Sequence, residues 1–452
     1  MQTSRRVKVI ARVVAVVAAT SLAALALAGC APSSSGSSGS ATKGTVNWWG
    51  WTPDVSVAKS YITAFNKEFP NIKVNYKMIA IDDYEAALRP ALASPSGPDI
   101  FDLQPGTRVT AFKSFAEDLT PVAKDALGAD WKSKVSQIGI DGLTADGKLT
   151  SLSVGATYAG SLWINKGLFD KYKVKVPTTL DEWKTACDTF KANNIGCFVQ
   201  GASGEGFDQD TLQSIADSIE PGLFSAVEQQ KKKWNDPNMV KAFTVWKSLF
   251  DDGIMQPGAI GYQQYPDANN DFLTGKYAMV MMGTWYMQYA TKAGVTSALN
   301  AAGVSNPTAF PVVPIQFPTI NGGATPPMYG DADYGLAISK KSKNTKAAET
   351  FVKWLTLGKN GQQIVADTLN DIPALKGVTP NWDNIELVDK ATQEQPLQDL
   401  IKRATDSKET RFLYIVQDVS DGILKAATGV ADGSVSPKDA LDQLQQTAAA
   451  AQ

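Results

Sequence analysis

Hydrophobic and polar residues recur along this chain in the patterns of strands and helices that follow one another. Thr45 to Trp49 has the residue types of a short strand, and Val57, Tyr61, Phe65 and Phe69 then recur at every fourth position. Apolar residues with that spacing lie on one face of a helix. The pattern therefore predicts a β-strand followed by an amphipathic helix that ends near Pro70 and Asn71.

The same alternation continues through the next part of the chain. Lys73 to Met78 is predicted as a second strand, Tyr84 to Ala93 as a second helix, and Ile100 to Leu103 as a third strand. A βαβαβ order of this kind predicts a mostly parallel sheet covered by helices.

Later segments repeat the pattern before helices dominate toward the C-terminus. Further strands are predicted at Leu162 to Asn165, Cys197 to Val199, Ala278 to Met282 and Asp333 to Ile338, and further helices at Leu180 to Asn193 and Pro237 to Phe250. Capping boxes are predicted at Thr179 with Glu182 and at Ser436 with Asp439. Asp146-Gly147 is predicted to form a hairpin turn. The Gly201 to Gly206 segment lacks the spacing of a dinucleotide-binding loop and is predicted to be an ordinary loop.

The N-terminus carries a basic and then an apolar segment that ends in Leu27-Ala28-Gly29-Cys30. The apolar run from 13 to 28 is shorter than the roughly 20 residues needed to span a bilayer, so it is predicted to be a cleaved leader. Small residues directly before a Cys form the lipobox of bacterial lipoproteins. The expectation is a signal peptide over 1–29 and a lipid on Cys30. An ordinary signal peptide with a chance Cys is the alternative, and Ser4-Arg5-Arg6 leaves twin-Arg export open beside general secretion.

The segment that follows is rich in Ser and Gly and has almost no apolar content, so residues 30–43 are predicted to act as a flexible tether. Loss of the leader, with its four basic residues, leaves 39 basic against 45 acidic residues, a formal net charge of −6. This mild acidity argues against a nucleic-acid partner. The predicted location is extracytoplasmic, with the protein anchored by lipid to the cell membrane.

The chain contains no histidine and three cysteines. Without histidine there is no Ser-His-Asp or Cys-His nucleophile activation and no His-ligated zinc. Hydrolysis by paired carboxylates is the main enzymatic route that remains, and no metal or other cofactor is expected. Cys187 and Cys197 form an even pair in an oxidising location, which predicts a disulfide, with two buried free thiols as the alternative.

Several blocks of sequence resemble the family 1 extracellular solute-binding proteins, the sugar-binding lipoproteins of ABC importers. The blocks are Ile62-Thr-Ala-Phe-Asn-Lys-Glu-Phe-Pro70, Gly97-Pro-Asp-Ile-Phe101, Leu162-Trp-Ile-Asn-Lys-Gly-Leu-Phe169, Pro177-Thr-Thr-Leu-Asp-Glu-Trp183, Phe272-Leu-Thr-Gly-Lys276 through Gly283-Thr-Trp285, and Tyr334-Gly-Leu-Ala-Ile338 through Ala347-Ala-Glu-Thr-Phe351. They follow the order of that family and cover nearly the whole chain from about Gly44. The match is specific to the family and leaves the substrate open.

The resemblance implies an α/β fold of the periplasmic-binding-protein type II, with two hinge-linked lobes and the ligand in the cleft between them. The first lobe is expected at 44–153 plus 318–378, and the second at 154–317 plus 379–452. The implied partners are a carbohydrate ligand and the permease of an ABC transporter with its ATPase, and the protein is expected to act as a monomer. The expected activity is capture by hinge closure, without turnover.

Candidate site residues follow from where parallel strands end, because ligands of open sheets bind at the carboxyl ends of the strands. A sugar calls for aromatic plates against its C–H faces and for carboxylates and amides around its hydroxyl edge. The first-lobe candidates are Trp48, Trp49, Trp51, Asp82, Tyr84, Asp102 and Gln104. The second-lobe candidates are Tyr158, Gln200 and Trp285, which falls at the family's Gly-Ser/Thr-Trp position. Further candidates are Asp331 and Asp333, before a predicted strand, and Arg411, in a predicted late helix.

Each candidate has a structural alternative. A Trp in a chain of this size belongs to the core more often than to a ligand site, and Asp82 or Asp102 could cap a helix or stabilise a turn. Trp163, Trp183, Trp246 and Trp354 lie within predicted elements and are expected in the core. At the level of function, the alternatives are a lipid-anchored hydrolase of carbohydrates that uses paired carboxylates, and an interaction protein that binds no small ligand.

Overall fold

The computed structural model describes residues 39–204 and 206–451. The predicted signal peptide, Cys30 and most of the predicted tether lie outside the described residues. Within them, no helix combines the length and the apolar content that a membrane crossing requires.

Strands and helices alternate through the described chain. The strands are β1 (Gly44–Gly50), β2 (Ile72–Met78), β3 (Ile100–Leu103), β4 (Thr144–Ala145), β5 (Lys148–Leu149), β6 (Leu152–Ser153), β7 (Gly155–Ala159), β8 (Ser161–Asn165), β9 (Gly196–Val199), β10 (Tyr277–Met282), β11 (Val312–Gln316), β12 (Tyr329–Ala332), β13 (Gly335–Ile338) and β14 (Ile372–Pro373). The helices are α1 (Val55–Glu68), α2 (Ile81–Ala93), α3 (Thr107–Phe112), α4 (Thr120–Leu127), α5 (Trp131–Lys134), α6 (Gln137–Leu143), α7 (Lys166–Tyr172), α8 (Leu180–Ala192), α9 (Phe207–Ile219), α10 (Leu223–Glu228), α11 (Pro237–Asp251), α12 (Asn269–Leu273), α13 (Lys292–Ala301), α14 (Thr345–Leu357), α15 (Lys359–Thr368), α16 (Lys390–Asp406), α17 (Gln417–Ala431) and α18 (Pro437–Ala450).

The first lobe is built on a five-stranded sheet in the order β2-β1-β3-β13-β6. β1 pairs in parallel with both β2 and β3, as the βαβαβ pattern predicts. β13 pairs antiparallel with β3 and with β6. The prediction of a mostly parallel sheet is therefore right for the first three strands and wrong for the sheet as a whole. The physical reason is that β13 belongs to a later return of the chain and does not follow β3 through a βαβ crossover.

The second lobe has a four-stranded sheet in the order β11-β8-β10-β9, in which β10 pairs in parallel with β9 and antiparallel with β8. A three-stranded sheet, β12-β7-β14, links the lobes. β7 follows directly on β6 of the first sheet and precedes β8 of the second, so the chain passes between the lobes along this linking sheet.

The predicted strand from Asp333 to Ile338 is wrong at its start. β12 ends at Ala332 and pairs with β7, whereas β13 begins at Gly335 and pairs with β3. Asp333 and Tyr334 lie between the two strands, where the chain leaves the linking sheet for the first-lobe sheet. Asp331 consequently lies within β12 and not in a loop before a strand.

The lobe boundary expected at 318 can be placed later. Phe317 and Ile320 pack in the same core cluster as Trp183, and Thr319 forms a β-bridge with Thr179 of the second lobe. We therefore propose that the chain returns to the first lobe at β12.

Local signals in the sequence are confirmed at several positions. Asp146 and Gly147 have φ of 51° and 73° and connect β4 to β5 as a tight hairpin. The Ser436 hydroxyl accepts a hydrogen bond from the Asp439 N–H at 3.1 Å. Thr179 accepts in the same way from the Glu182 N–H at 3.2 Å, but the Glu182 carboxylate binds the N–H and hydroxyl of Thr178, so only half of that capping box forms.

The predicted disulfide between Cys187 and Cys197 is present and joins α8 to β9. The four tryptophans expected in the core are buried there as well. Trp163, Trp183 and Trp246 are fully buried, and Trp354 is 7% exposed.

Candidate functional site

A cleft of about 930 Å³, open to solvent, lies between the two lobes. Its first-lobe wall comes from α2, α3 and the end of β3, and its second-lobe wall comes from the start of α9 and from α17 with the loop before it. The lining includes Glu85, Gln104, Arg108, Asp208, Gln209 and Phe412. The lobes approach closely here: Gly106 has φ of 80°, and a Cβ on it would lie 2.8 Å from the Phe412 carbonyl oxygen.

On the second-lobe side, Arg411 is the centre of a buried charged and aromatic group. Its guanidinium makes two hydrogen bonds to the Asp210 carboxylate, 2.8 Å from Nε to Oδ1 and 2.6 Å from Nη2 to Oδ2. It also lies over three rings, those of Phe207, Trp285 and Phe412, at 5.7, 4.8 and 4.3 Å from their centres. Burial lowers the pKa of Arg411, but the paired Asp210 more than offsets this and leaves it raised. Arg411 is thus a permanent cation. It lies in the loop after α16, so the prediction that it lies in a helix is wrong.

Trp285 lies at the start of a 3₁₀ helix, Thr284–Ala290, that follows β10. Its indole N–H donates to the Tyr265 hydroxyl at 3.2 Å, and the ring keeps part of its surface exposed. Asp331 joins the same region, because its carboxylate accepts from the Phe412 N–H at 2.6 Å. The structure thus brings together three sequence-predicted residues: Trp285, Asp331 and Arg411.

A similar arrangement lies on the first-lobe wall. The Arg108 guanidinium lies over the Trp51 ring at 4.7 Å from its centre and binds Glu85 at 3.1 Å and Gln104 at 2.8 Å. Cation–π contacts of this kind are worth about 0.5–2 kcal/mol. Trp51 and Gln104 are therefore held beside the cleft by an arginine that the sequence analysis did not single out.

Three first-lobe candidates belong to the core of that lobe. Trp48 is fully buried, and its indole N–H donates to the Asp102 carboxylate at 2.7 Å. Tyr84 is also fully buried and accepts from the Asp102 N–H at 2.8 Å. Burial raises the pKa of Asp102 well above its usual value, although the bond from Trp48 lowers it. These contacts connect β1, α2 and β3 and leave no surface of Trp48 or Tyr84 exposed to a ligand.

The remaining candidates have different surroundings. The Lys77 ammonium lies 3.9 Å from the centre of the Trp49 ring, at the paired position on β2. Gln200 is fully buried, donates to the Phe207 carbonyl and accepts from the Thr211 hydroxyl. Tyr158, on β7, is 8% exposed, and its N–H donates to the Thr284 hydroxyl at 3.0 Å.

Asp333 and Asp371 form a pair of buried carboxyl groups at the linking sheet. Asp333 accepts from the Thr157 hydroxyl at 2.9 Å, and Asp371 accepts from the Asn370 amide at 2.6 Å. Burial, and then the charge of Asp333, raises the pKa of Asp371 well above its usual value. The direction of this shift follows because two adjacent carboxylates away from water are costly to ionise together.

Direct hydrogen bonds connect the two lobes beside the cleft. The Gln263 amide donates to the Asp82 carboxylate at 2.8 Å, and the Tyr289 hydroxyl donates to the Asp54 carboxylate at 2.7 Å. Asp82 and Asp54 belong to the first lobe, whereas Gln263 and Tyr289 belong to the second. The structure therefore has the two lobes in contact.

Sequence reasoning missed the start of α9, which supplies Phe207, Asp208 and Asp210. The preceding glycine-rich segment was predicted to be an ordinary loop, and no helix was predicted after it. Nearly every residue of α9 is buried, including its polar ones. Three aspartates in a buried helix require partners or a ligand, but the burial of α9 is visible only in the structure.

Asp217, one of these aspartates, is expected to make the stability of the protein depend on pH. Asp217 is fully buried; burial raises its pKa to about 7, although the Phe224 N–H donates to it at 3.0 Å. Between pH 4 and 7, Asp217 keeps its proton in the folded protein but has released it in the unfolded chain. The free energy of unfolding therefore falls as the pH rises through this range. We expect Asp217→Asn to gain stability relative to the wild type across that range. Urea unfolding at pH 4.5, 6 and 7.5 tests this, and parallel pH profiles for the two proteins would contradict it.

Comparisons of the sequence with a family model and with known proteins indicate the same family. The family described as bacterial extracellular solute-binding protein matches residues 49–362. The chain is similar to the multiple sugar-binding protein of Streptococcus mutans, with 25% identity over 83% of this chain and 85% of that protein. It is also 25% identical to the galactooligosaccharide-binding protein of Bacillus subtilis, over 86% of this chain and 85% of that one.

Solved structures share the fold. A maltose-bound protein of T. maritima, MalE3, superposes with a TM-score of 0.69 at 19% identity, covering 89% of this chain and 98% of that chain. An ABC substrate-binding protein of Listeria monocytogenes in complex with cycloalternan gives a TM-score of 0.68 at 20% identity over 89% and 97%. The two-lobe α/β fold predicted from the sequence is thereby confirmed. Since the family match covers more than half of the chain, the protein belongs to the bacterial extracellular solute-binding proteins.

Proposed function

We propose that this protein captures a sugar or an oligosaccharide in the cleft between its lobes and delivers it to the permease of an ABC transporter. The observation that carries the proposal is the composition of the cleft region, where arginine-covered tryptophans of both lobes adjoin carboxylates and amides. Aromatic faces suit the C–H faces of a sugar, and the polar groups suit its hydroxyls. The sugar-binding relatives support the same ligand class.

Capture works through closure of the lobes. A ligand that contacts both walls binds the closed form more tightly than the open form, and so shifts the hinge equilibrium toward closure. The bonds from Gln263 to Asp82 and from Tyr289 to Asp54 hold the lobes in contact and would stabilise a closed form. Asp82 thus has a role in closure whether or not it touches the ligand.

The set of ligand-contacting residues that we propose is smaller than the set predicted from the sequence. We retain the candidates that adjoin the cleft, the lobe contacts or the linking sheet: Trp51, Asp82, Gln104, Tyr158, Trp285, Asp331, Asp333 and Arg411. We assign Trp48, Tyr84, Asp102 and Gln200 to the framework, because each is fully buried and bonded within its own lobe. Trp49 goes with them, because its ring contacts Lys77 of β2, whereas the ring of Trp51 contacts Arg108, which lines the cleft.

The protein acts in this proposal as a monomer, outside the cytoplasm, and as a binder without turnover. A lipid on Cys30 and the tether that follows would hold it near the permease. The family match supports binding rather than hydrolysis by paired carboxylates.

A thermal-shift screen against a panel of saccharides tests the function. The panel contains stachyose, maltotriose, xylotriose, galactobiose, chitobiose and digalacturonate. A ligand present at 100 times its dissociation constant stabilises a protein by about 2.7 kcal/mol, so we expect a rise in the melting temperature for at least one saccharide. A flat response across the panel would contradict the proposal, and release of shorter sugars from the bound saccharide would favour the hydrolase.

A further inference from the structure

Most polar groups that line the cleft are already bonded within the protein. Glu85 and Gln104 both bind Arg108. The Gln209 amide donates to the Arg411 carbonyl at 2.9 Å, and Gln417 donates to Asp421 at 2.8 Å. These side chains are held in place by the protein itself.

Asp208 differs from these groups. It is the second residue of α9, it lines the cleft, and it is only 1% exposed. Its Oδ2 is buried and has no hydrogen-bond partner among the described residues. A buried acceptor without a partner costs about 1–3 kcal/mol, and a ligand that supplies a donor recovers that cost.

The charge around Asp208 restricts what that ligand can be. The described lining of the cleft carries one guanidinium, that of Arg108, and three carboxyl groups, those of Glu85, Asp208 and Asp421. Arg108 is engaged by Glu85, and Asp208 itself offsets the positive end of the α9 dipole. Burial raises the pKa of Asp208 to about 7, so an anionic group beside it would either meet its charge or have to keep it protonated, whereas a hydroxyl or an ammonium would find an acceptor.

We propose that Asp208 selects the ligand of the cleft by accepting a hydrogen bond from one of its hydroxyl or ammonium groups, so that neutral and amino saccharides bind and uronates do not. This inference rests on the proposed function. It assigns a role to Asp208, which is not among the residues predicted from the sequence, and it restricts the class of sugar that binds.

Isothermal titration of the full chain with the same saccharides tests the inference. At pH 8, above the raised pKa of Asp208, we expect Asp208→Ala to weaken binding of the neutral saccharides about tenfold to a hundredfold, the range for a hydrogen bond to a charged group. Asp208→Asn, which keeps one acceptor oxygen, should recover part of that loss. In the wild type, digalacturonate should bind at least tenfold more weakly than galactobiose.

Asp217→Asn is the matched control. Asp217 lies on the same helix, is equally buried and also has an Oδ2 without a partner, but it does not line the cleft. Its substitution should leave saccharide affinity unchanged. Melting temperatures of both variants without ligand report any damage to α9.

The outcomes separate this inference from the proposed function. Equal affinity of the wild type and Asp208→Ala for a neutral saccharide would overturn the role of Asp208. Tighter binding of digalacturonate than of galactobiose would overturn the ligand class. If no saccharide binds the wild type, the proposed function fails, and the inference fails with it.

Discussion

Replacing Arg411 by alanine is expected to lower the free energy of unfolding by about 3–5 kcal/mol, the range for removing one partner of a buried ion pair. Asp210, which is 1% exposed, would lose the two hydrogen bonds that hold its carboxylate. Phe412, Trp285 and Phe207 would lose the guanidinium that lies over their rings. Urea unfolding at pH 7.5 measures the loss directly.

Three comparisons isolate the cause of this loss of stability. In the double variant Arg411→Ala with Asp210→Ala, no buried carboxylate remains unpaired, so the loss should be smaller than the sum of the single losses. Lys402→Ala removes an exposed pair with Asp406 and should change stability far less, because solvent screens that pair. The loss in Arg411→Ala should also shrink at low pH, because protonation removes the charge of Asp210. Additive losses, or a loss no larger than that of Lys402→Ala, would refute the role of the pair.

The elements of the fold were predictable where one face of an element is buried. The four-residue spacing of Val57, Tyr61 and Phe65 locates α1, because packing of one helix face against a core imposes that spacing. The apolar run near Met279 locates β10 for a different reason, since this strand is buried on both of its faces. Strand direction was harder to predict. β13 pairs antiparallel because the chain has first passed through the second lobe, and no local pattern contains that information.

The candidate site was predictable only in part, for a related reason. Trp285 follows directly on β10, where a strand end suggests a ligand, but Trp48 lies within β1 and Tyr84 within α2, and both are buried in the core of their own lobe. Position after a strand does not specify which face a side chain takes. Asp208 and Asp210 were missed because α9 is buried on nearly all sides, so its polar residues do not mark an exposed face.

Removal of the Trp285 side chain is the sharpest test of the aromatic part of the site. Covering an aromatic side chain that was exposed is worth about 1.5–3 kcal/mol, so we expect Trp285→Ala to weaken saccharide binding about tenfold to a hundredfold. Titration calorimetry with the saccharide that gives the largest thermal shift measures the change. The melting temperature without ligand should fall much less than in Arg411→Ala, because Asp210 keeps its partner.

Trp382→Ala is the control for this prediction. Trp382 also lies in the second lobe and is also partly buried against the same core cluster as Trp285, but the ring contacts of Arg411 fall on Phe207, Trp285 and Phe412 and not on Trp382. Its loss should affect stability and leave affinity unchanged. If Trp285→Ala instead lowers stability and leaves affinity intact, Trp285 serves to position Arg411, and the ligand must take its aromatic contacts from Trp51 on the opposite lobe. The two variants thus distinguish a tryptophan that contacts the sugar from one that only supports the charged pair beside it.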